Sequence, residues 1–108
     1  MAQLKINGKE YEVKFTYMAV LALEKAFGMG IGKVFKELDL ENIGVLNTFV
    51  YACLKRHEDF KHATQDDVAI ALDEAFENED ITFEDLAEAV KDAVENSVIT
   101  KQGKNAKK

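Results

Sequence analysis

Cysteine occurs once in the 108 residues, at Cys53, and histidine twice, at His57 and His62. One cysteine excludes an internal disulfide. A structural zinc takes four soft ligands, one more than the Cys and His side chains can supply. The run His57-Glu58-Asp59-Phe60-Lys61-His62 superficially resembles the metalloprotease HExxH motif. Its histidines are five apart, which turns them about 140° away from each other on a helix. Cys53 therefore reads as core and the histidines as surface. Long apolar runs are also missing. The longest, Tyr17 to Leu23, falls far short of the roughly 20 residues a membrane span needs. The start, MAQLKING, lacks the basic-then-apolar layout of a signal peptide. These absences lead us to expect a cytoplasmic chain with no membrane contact.

Chemistry-bearing motifs are absent as well. Gly28, Gly30 and Gly32 fall within five positions, but Lys33 is followed by Val34, which breaks the Walker pattern. Phe35 stands where a GxGxxG fingerprint would have its third glycine. Ile81 to Leu86 resembles the exit of an EF-hand loop. The loop itself fails, with Phe76 at a ligand position and Glu79 at the glycine position. No serine, threonine or cysteine is placed by sequence beside a histidine held by an acid, as a nucleophile–base pair requires. We expect neither enzymatic activity nor a cofactor nor a metal.

Charge is unevenly distributed. The net charge is −6, yet residues 1–57 carry 8 basic and 6 acidic side chains, residues 58–96 carry 2 and 14, and residues 97–108 carry 4 lysines and no acid. An acidic second half repels nucleic-acid phosphate and attracts basic partners, or it is simply a solvated face. The lysine-rich end is modest in charge and has no interleaved aromatics, so no nucleic-acid contact is expected.

Hydrophobic pattern supplies the elements. Leu4 and Ile6, then Tyr11, Val13 and Phe15, alternate with polar residues around Asn7-Gly8, a pair suited to a type I′ turn. Thr16 is a candidate N-cap for Tyr17–Phe27, and Gly28 a candidate left-handed terminator. That helix is apolar on nearly every side, so it should be wrapped by others and should organise the fold. The glycines after it suggest a flexible hinge. Ile43 to His57 reads as a second apolar helix closed by Lys55-Arg56-His57. Thr64 with Asp67, and Thr82 with Asp85, have capping-box spacing. The expected architecture is α+β, mostly α: a hairpin over 3–15 and helices near 17–27, 32–38, 43–57, 65–77 and 83–98. They form one domain over 1–99, and residues 100–108 are expected to be a disordered basic tail. A chain of this length buries roughly 65% of its unfolded surface, enough for one core.

Two apolar helices joined through a glycine hinge can offer a groove to a partner helix. Phe27, Met29, Ile31 and Phe35 flank the hinge and are the candidate partner-binding residues, with plain core as the alternative.

The opening L-K-I-N-G-K-E-Y-E-V-K-F, followed by a capped apolar helix ending in Phe27-Gly28, resembles the tail assembly chaperones of long-tailed bacteriophages. The likeness continues through the glycine-bearing loop, second apolar helix, acidic helices and lysine-rich end. It implies a non-enzymatic role in the host cytoplasm. The protein would bind the tape measure protein, keep it soluble and help tail tube protein polymerise around it, and it would be absent from the mature virion. It also implies self-association along a long client and, in many members, a longer frameshifted product. Two other readings stay open: a structural tail or head–tail component, and an acidic adaptor or DNA-mimic inhibitor of a host factor.

Overall fold

The computed structural model describes residues 3–39 and 41–97. Leu40, Val98 and the expected tail at 100–108 lie outside the described residues. The elements run β1 (Gln3–Ile6), β2 (Lys9–Glu12), α1 (Tyr17–Phe27), α2 (Ile31–Glu37), α3 (Ile43–Leu54), a single 3-10 turn (Glu58–Phe60), α4 (Gln65–Glu77) and α5 (Phe83–Glu95). The architecture is α+β and mostly helical, as the periodicity requires. No helix among the described residues is long and apolar enough to cross a membrane.

The strands pair antiparallel, Leu4 opposite Tyr11 and Ile6 opposite Lys9. The register is set by the turn, where Asn7 and Gly8 both adopt positive φ, 55° and 76°. Val13 and Phe15 stay buried beyond the paired strands, so the alternation continues after the hydrogen-bond ladder stops. Thr16 caps α1 by accepting from the Ala19 amide at 3.3 Å, and Gly28 ends it at φ 68°. Both capping boxes close. Thr64 and Asp67 exchange bonds of 3.0 and 3.1 Å, and Thr82 and Asp85 bonds of 2.9 and 3.1 Å. Asn42 caps α3 by accepting from the amides of Gly44 and Val45.

The organising element is α3, not α1. Leu46, Thr48, Phe49, Val50, Ala52, Cys53 and Leu54 are all buried, and the side carrying Gly44, Asn47 and Tyr51 is left partly open. It packs on α1, α4 and α5, while β1 lies across α4 and α5. Thr48, which reads as the polar side of an amphipathic helix, is buried because its hydroxyl has partners: Gln65 Oε1 at 2.7 Å and the Gly44 carbonyl at 3.0 Å. By contrast α1 buries only Ala19, Val20 and Leu23.

α3 also ends earlier than its apolar run suggests. Arg56 and His57 lie beyond Leu54 and reach the hairpin instead of closing the helix. Arg56 pairs with Glu12 at 2.8 Å, and a His57 ring nitrogen meets the Glu12 carbonyl at 2.8 Å. Likewise α5 stops at Glu95 rather than near 98. Ser97 is buried there, donating to the Phe15 carbonyl at 2.8 Å.

Candidate partner-binding surfaces

The glycine connection is held in place by a side chain. The Glu24 carboxylate on α1 accepts from the Ile31 amide at 2.8 Å, satisfying the first turn of α2 in place of a conventional cap. Around this corner Phe15, Phe27, Phe35 and Phe49 form one aromatic group. The ring centroids are 5.6 Å apart for Phe15–Phe35, 6.1 Å for Phe35–Phe49 and 6.3 Å for Phe27–Phe49. Of the four hinge residues, Phe27 and Phe35 thus meet at the ring of Phe49. Phe27, Met29 and Ile31 are half-buried against the core, and Phe35 is 39% exposed.

Larger apolar exposure lies elsewhere. On α1, Tyr17, Met18 and Leu21 stand at 66%, 49% and 50% exposed, in one stripe at i, i+1 and i+4. Nothing among the described residues covers them. The sequence signal was present, because a helix apolar all round must either be enclosed or keep one face for something else.

A second apolar surface is a groove of about 370 Å³ between the start of α3, the outer face of α4 and the start of α5. Leu72 and Leu86 form its floor, and Ile43, Ala69 and Phe76 its sides, with Asp73 at the edge. Ile43 begins the apolar stripe of α3 but is 56% exposed, because at that end it borders the open groove. Ile43 and Phe76 continue the apolar periodicity of α3 and α4, so by pattern they read as core and give no sign of a groove. A groove between helices arises from packing angles, which the sequence does not print.

A third surface is polar. Glu10, Asp80, Asp85, Glu88 and Asp92 line a trench of about 610 Å³ between the hairpin and α5. Lys5 is the cation in it, 3.9 Å from Asp80.

Titrating groups with clear perturbation sit away from these surfaces. Tyr11 donates to Asp59 at 2.6 Å, and Lys9 to the same oxygen at 3.0 Å. The bond to Asp59, then burial, pushes the Tyr11 hydroxyl up to about 12. The same bond, then Lys9, lowers the Asp59 carboxyl. Burial pushes the Cys53 thiol up to about 12, which leaves it protonated and inert. Of the histidines, His62 is exposed and His57 half-buried, its ring edge-on to Tyr11 at 5.4 Å. Among the described residues no three His, Cys, Asp or Glu side chains gather as metal ligands would.

What the fold builds is therefore contact surface, apolar on α1 and in the groove, acidic along α5. A family model described as phage tail assembly chaperone protein, TAC, matches residues 3–106. Comparison with curated proteins and with solved structures finds no match. With nearly the whole length matched, the chain belongs to the phage tail assembly chaperone family.

Proposed function

We propose that this chain binds the phage tape measure protein in the host cytoplasm, keeps it soluble and assists tail tube assembly, without remaining in the virion. A tape measure protein is long and helical, and its apolar seams stay exposed until the tube closes around it. A chaperone for such seams must show apolar surface and still resist its own aggregation. The observation that carries the reading is that combination: the uncovered Tyr17–Met18–Leu21 stripe on a chain of net charge −6. The exposed edge of Phe35 adds to the contact, and Phe27, Met29 and Ile31 are half-buried against the core around the same glycine connection. Several copies along one client would multiply a weak single contact, so self-association on the client belongs to the proposal.

The test is co-expression with the tape measure protein encoded beside it. The expected result is a soluble complex that co-purifies, lost in Met18→Ser with Leu21→Ser. These positions are half exposed, so the double variant should fold. A client that stays insoluble beside the wild-type chain overturns the reading. Detection of the chain in purified particles would instead favour a structural tail component.

A second reading, an acidic adaptor occupying the nucleic-acid site of a host factor, draws on the carboxylate trench. It requires that Glu88→Lys with Asp92→Lys abolish function while the α1 variant leaves it intact.

A further inference from the structure

The groove between α3, α4 and α5 has the dimensions and lining of a helix seat. Its α4 wall is Ala69, Leu72, Asp73 and Phe76, the i, i+3, i+4, i+7 series of one helical face. Seven residues of rise make that wall about 10 Å long, room for two turns of a docked helix. The lining is mainly apolar, and Asn47 and Asp73 are its polar members. An extended segment laid there would leave most of its amides and carbonyls unpaired. A helix satisfies its own backbone and needs only apolar anchors.

Charge selects which helix. Asp73 stands at the groove edge, and α4 also carries Asp66, Asp67, Glu74 and Glu77 with no lysine or arginine. α5 supplies Leu86 to the groove and turns Asp85, Glu88 and Asp92 to the trench on its hairpin side, so no cation of α4 or α5 lines the groove to offset Asp73. A second copy of this chain is a poor occupant. An isologous contact through this face would set the same carboxylates against each other. We infer that this groove seats an amphipathic helix of the client whose apolar seam is flanked by lysine or arginine. Phe83, exposed one turn before Leu86 on the same face of α5, extends the apolar contact beyond the groove's mouth. The inference rests on the chaperone reading and adds the chemistry of the segment recognised.

Two 18-residue helical peptides with one leucine seam, flanked by lysines in one and by glutamates in the other, are titrated into the full chain. Anisotropy and methyl NMR report binding. The lysine peptide should bind roughly five- to tenfold tighter at low salt, a preference that shrinks as salt rises. It should shift the methyl signals of Ile43 and Leu86. Ile43→Asp should abolish binding, and Asp73→Lys should reverse or erase the preference. Both positions are exposed, and unchanged thermal unfolding confirms that the variants fold. Equal binding of the two peptides, no binding, or shifts confined to α1 overturns the inference. So does a dimer of the chain alone that Ile43→Asp dissociates. The same variants are run in the co-expression test. If both variants keep the tape measure protein soluble as well as wild type, the groove inference falls and the chaperone reading stands. If wild type itself fails to do so, the chaperone reading falls.

Discussion

α1 and α3 are the two strongly apolar helices of this chain, and they have opposite fates. α3 buries seven of its twelve residues, α1 three of its eleven. Composition separates them only in part, since α1 carries Glu24 and Lys25 where α3 has no charge, and their neighbours do the rest. α3 is packed by α1 on one side and by α4 and α5 on another, whereas α1 packs, among the described residues, mainly on α3 and the short α2. Apolar surface on α3 is consumed in holding the fold together. Apolar surface on α1 exceeds what the described fold buries, and the surplus is the surface on which the proposed client contact rests.

The sharpest test of that contrast is a pair of truncations. Phe49 is fully buried and touches the rings of Phe15, Phe27 and Phe35, so Phe49→Ala should cost about 3–5 kcal/mol. Against a total of roughly 5–15 kcal/mol this brings the chain close to unfolding. Leu21→Ala, from the exposed stripe of α1, should stay within about 0.5 kcal/mol. Urea midpoints measure both. Similar losses at the two positions would mean that α1 is covered in solution, by a second copy or by part of the chain outside the described residues.

A smaller effect tests whether α4 and α5 are what separates the two helices. Both begin at a reciprocal Thr–Asp capping box, which stabilises them locally and independently of the core. Thr82→Ala should cost about 1 kcal/mol, and Thr64→Ala a similar amount. Hydrogen exchange should then quicken at α3 amides facing α4 and α5 before it quickens at those facing α1. Uniform acceleration would show that the bundle opens only as one unit.

The hairpin fastens to the 3-10 turn that follows α3 through Tyr11, whose ring stands edge-on to Phe60 at 5.0 Å and whose hydroxyl donates to Asp59. Folding raises the hydroxyl's pKa from 10.0 to about 12. The folded state therefore keeps a proton that the unfolded state releases. This stabilisation is complete below pH 10 and is lost as pH rises through 10 to 12. Asp59 runs the other way. Its pKa is lowered from 3.8, so its contribution is present above that value and is lost as pH falls through the folded value. Tyr11→Phe should flatten the alkaline limb of a stability–pH profile. An unchanged limb would show that the Tyr11–Asp59 bond is not populated in solution.

Much of this architecture is legible in the sequence. The Asn7-Gly8 turn, the Thr16 and Gly28 caps and both capping boxes are local devices, and each appears where its residues stand. What the sequence obscures is relational. Thr48 looks polar but is buried because Gln65, seventeen residues on, meets its hydroxyl. Ile43 and Phe83 continue apolar stripes, yet each lies at a helix start that its neighbours do not cover. Glu24 reads as a surface charge and instead caps α2 across the glycine corner. Phe27, Met29 and Ile31 flank the glycines and read as partner-binding, yet all three are half-buried against the core, Phe27 beside the ring of Phe49. In each case the deciding feature is a contact between elements, made or missing, which the periodicity within one element does not report.

The smallest predicted change sharpens the contrast by tightening the wall around α3. α4 ends in a Schellman motif, with Asp80 N–H donating to the Ala75 carbonyl at 2.9 Å and Glu79 N–H to the Phe76 carbonyl at 3.1 Å. The left-handed position of that motif is held by Glu79 at φ 61°, where a side chain is unfavourable and glycine is not. Gly28 fills the corresponding position at the end of α1. Glu79→Gly should therefore stabilise the chain by roughly 0.5–1 kcal/mol, since relief of the left-handed strain exceeds glycine's extra unfolded-state entropy. It also removes one carboxylate from the most acidic part of the chain, an effect in the same direction. Glu79→Gln separates the two, because it removes the charge and keeps the side chain. If the glutamine variant gains as much as the glycine variant, charge repulsion and not backbone conformation is what Glu79 costs, and α4 is already as firmly seated against α3 as its C-terminal turn allows.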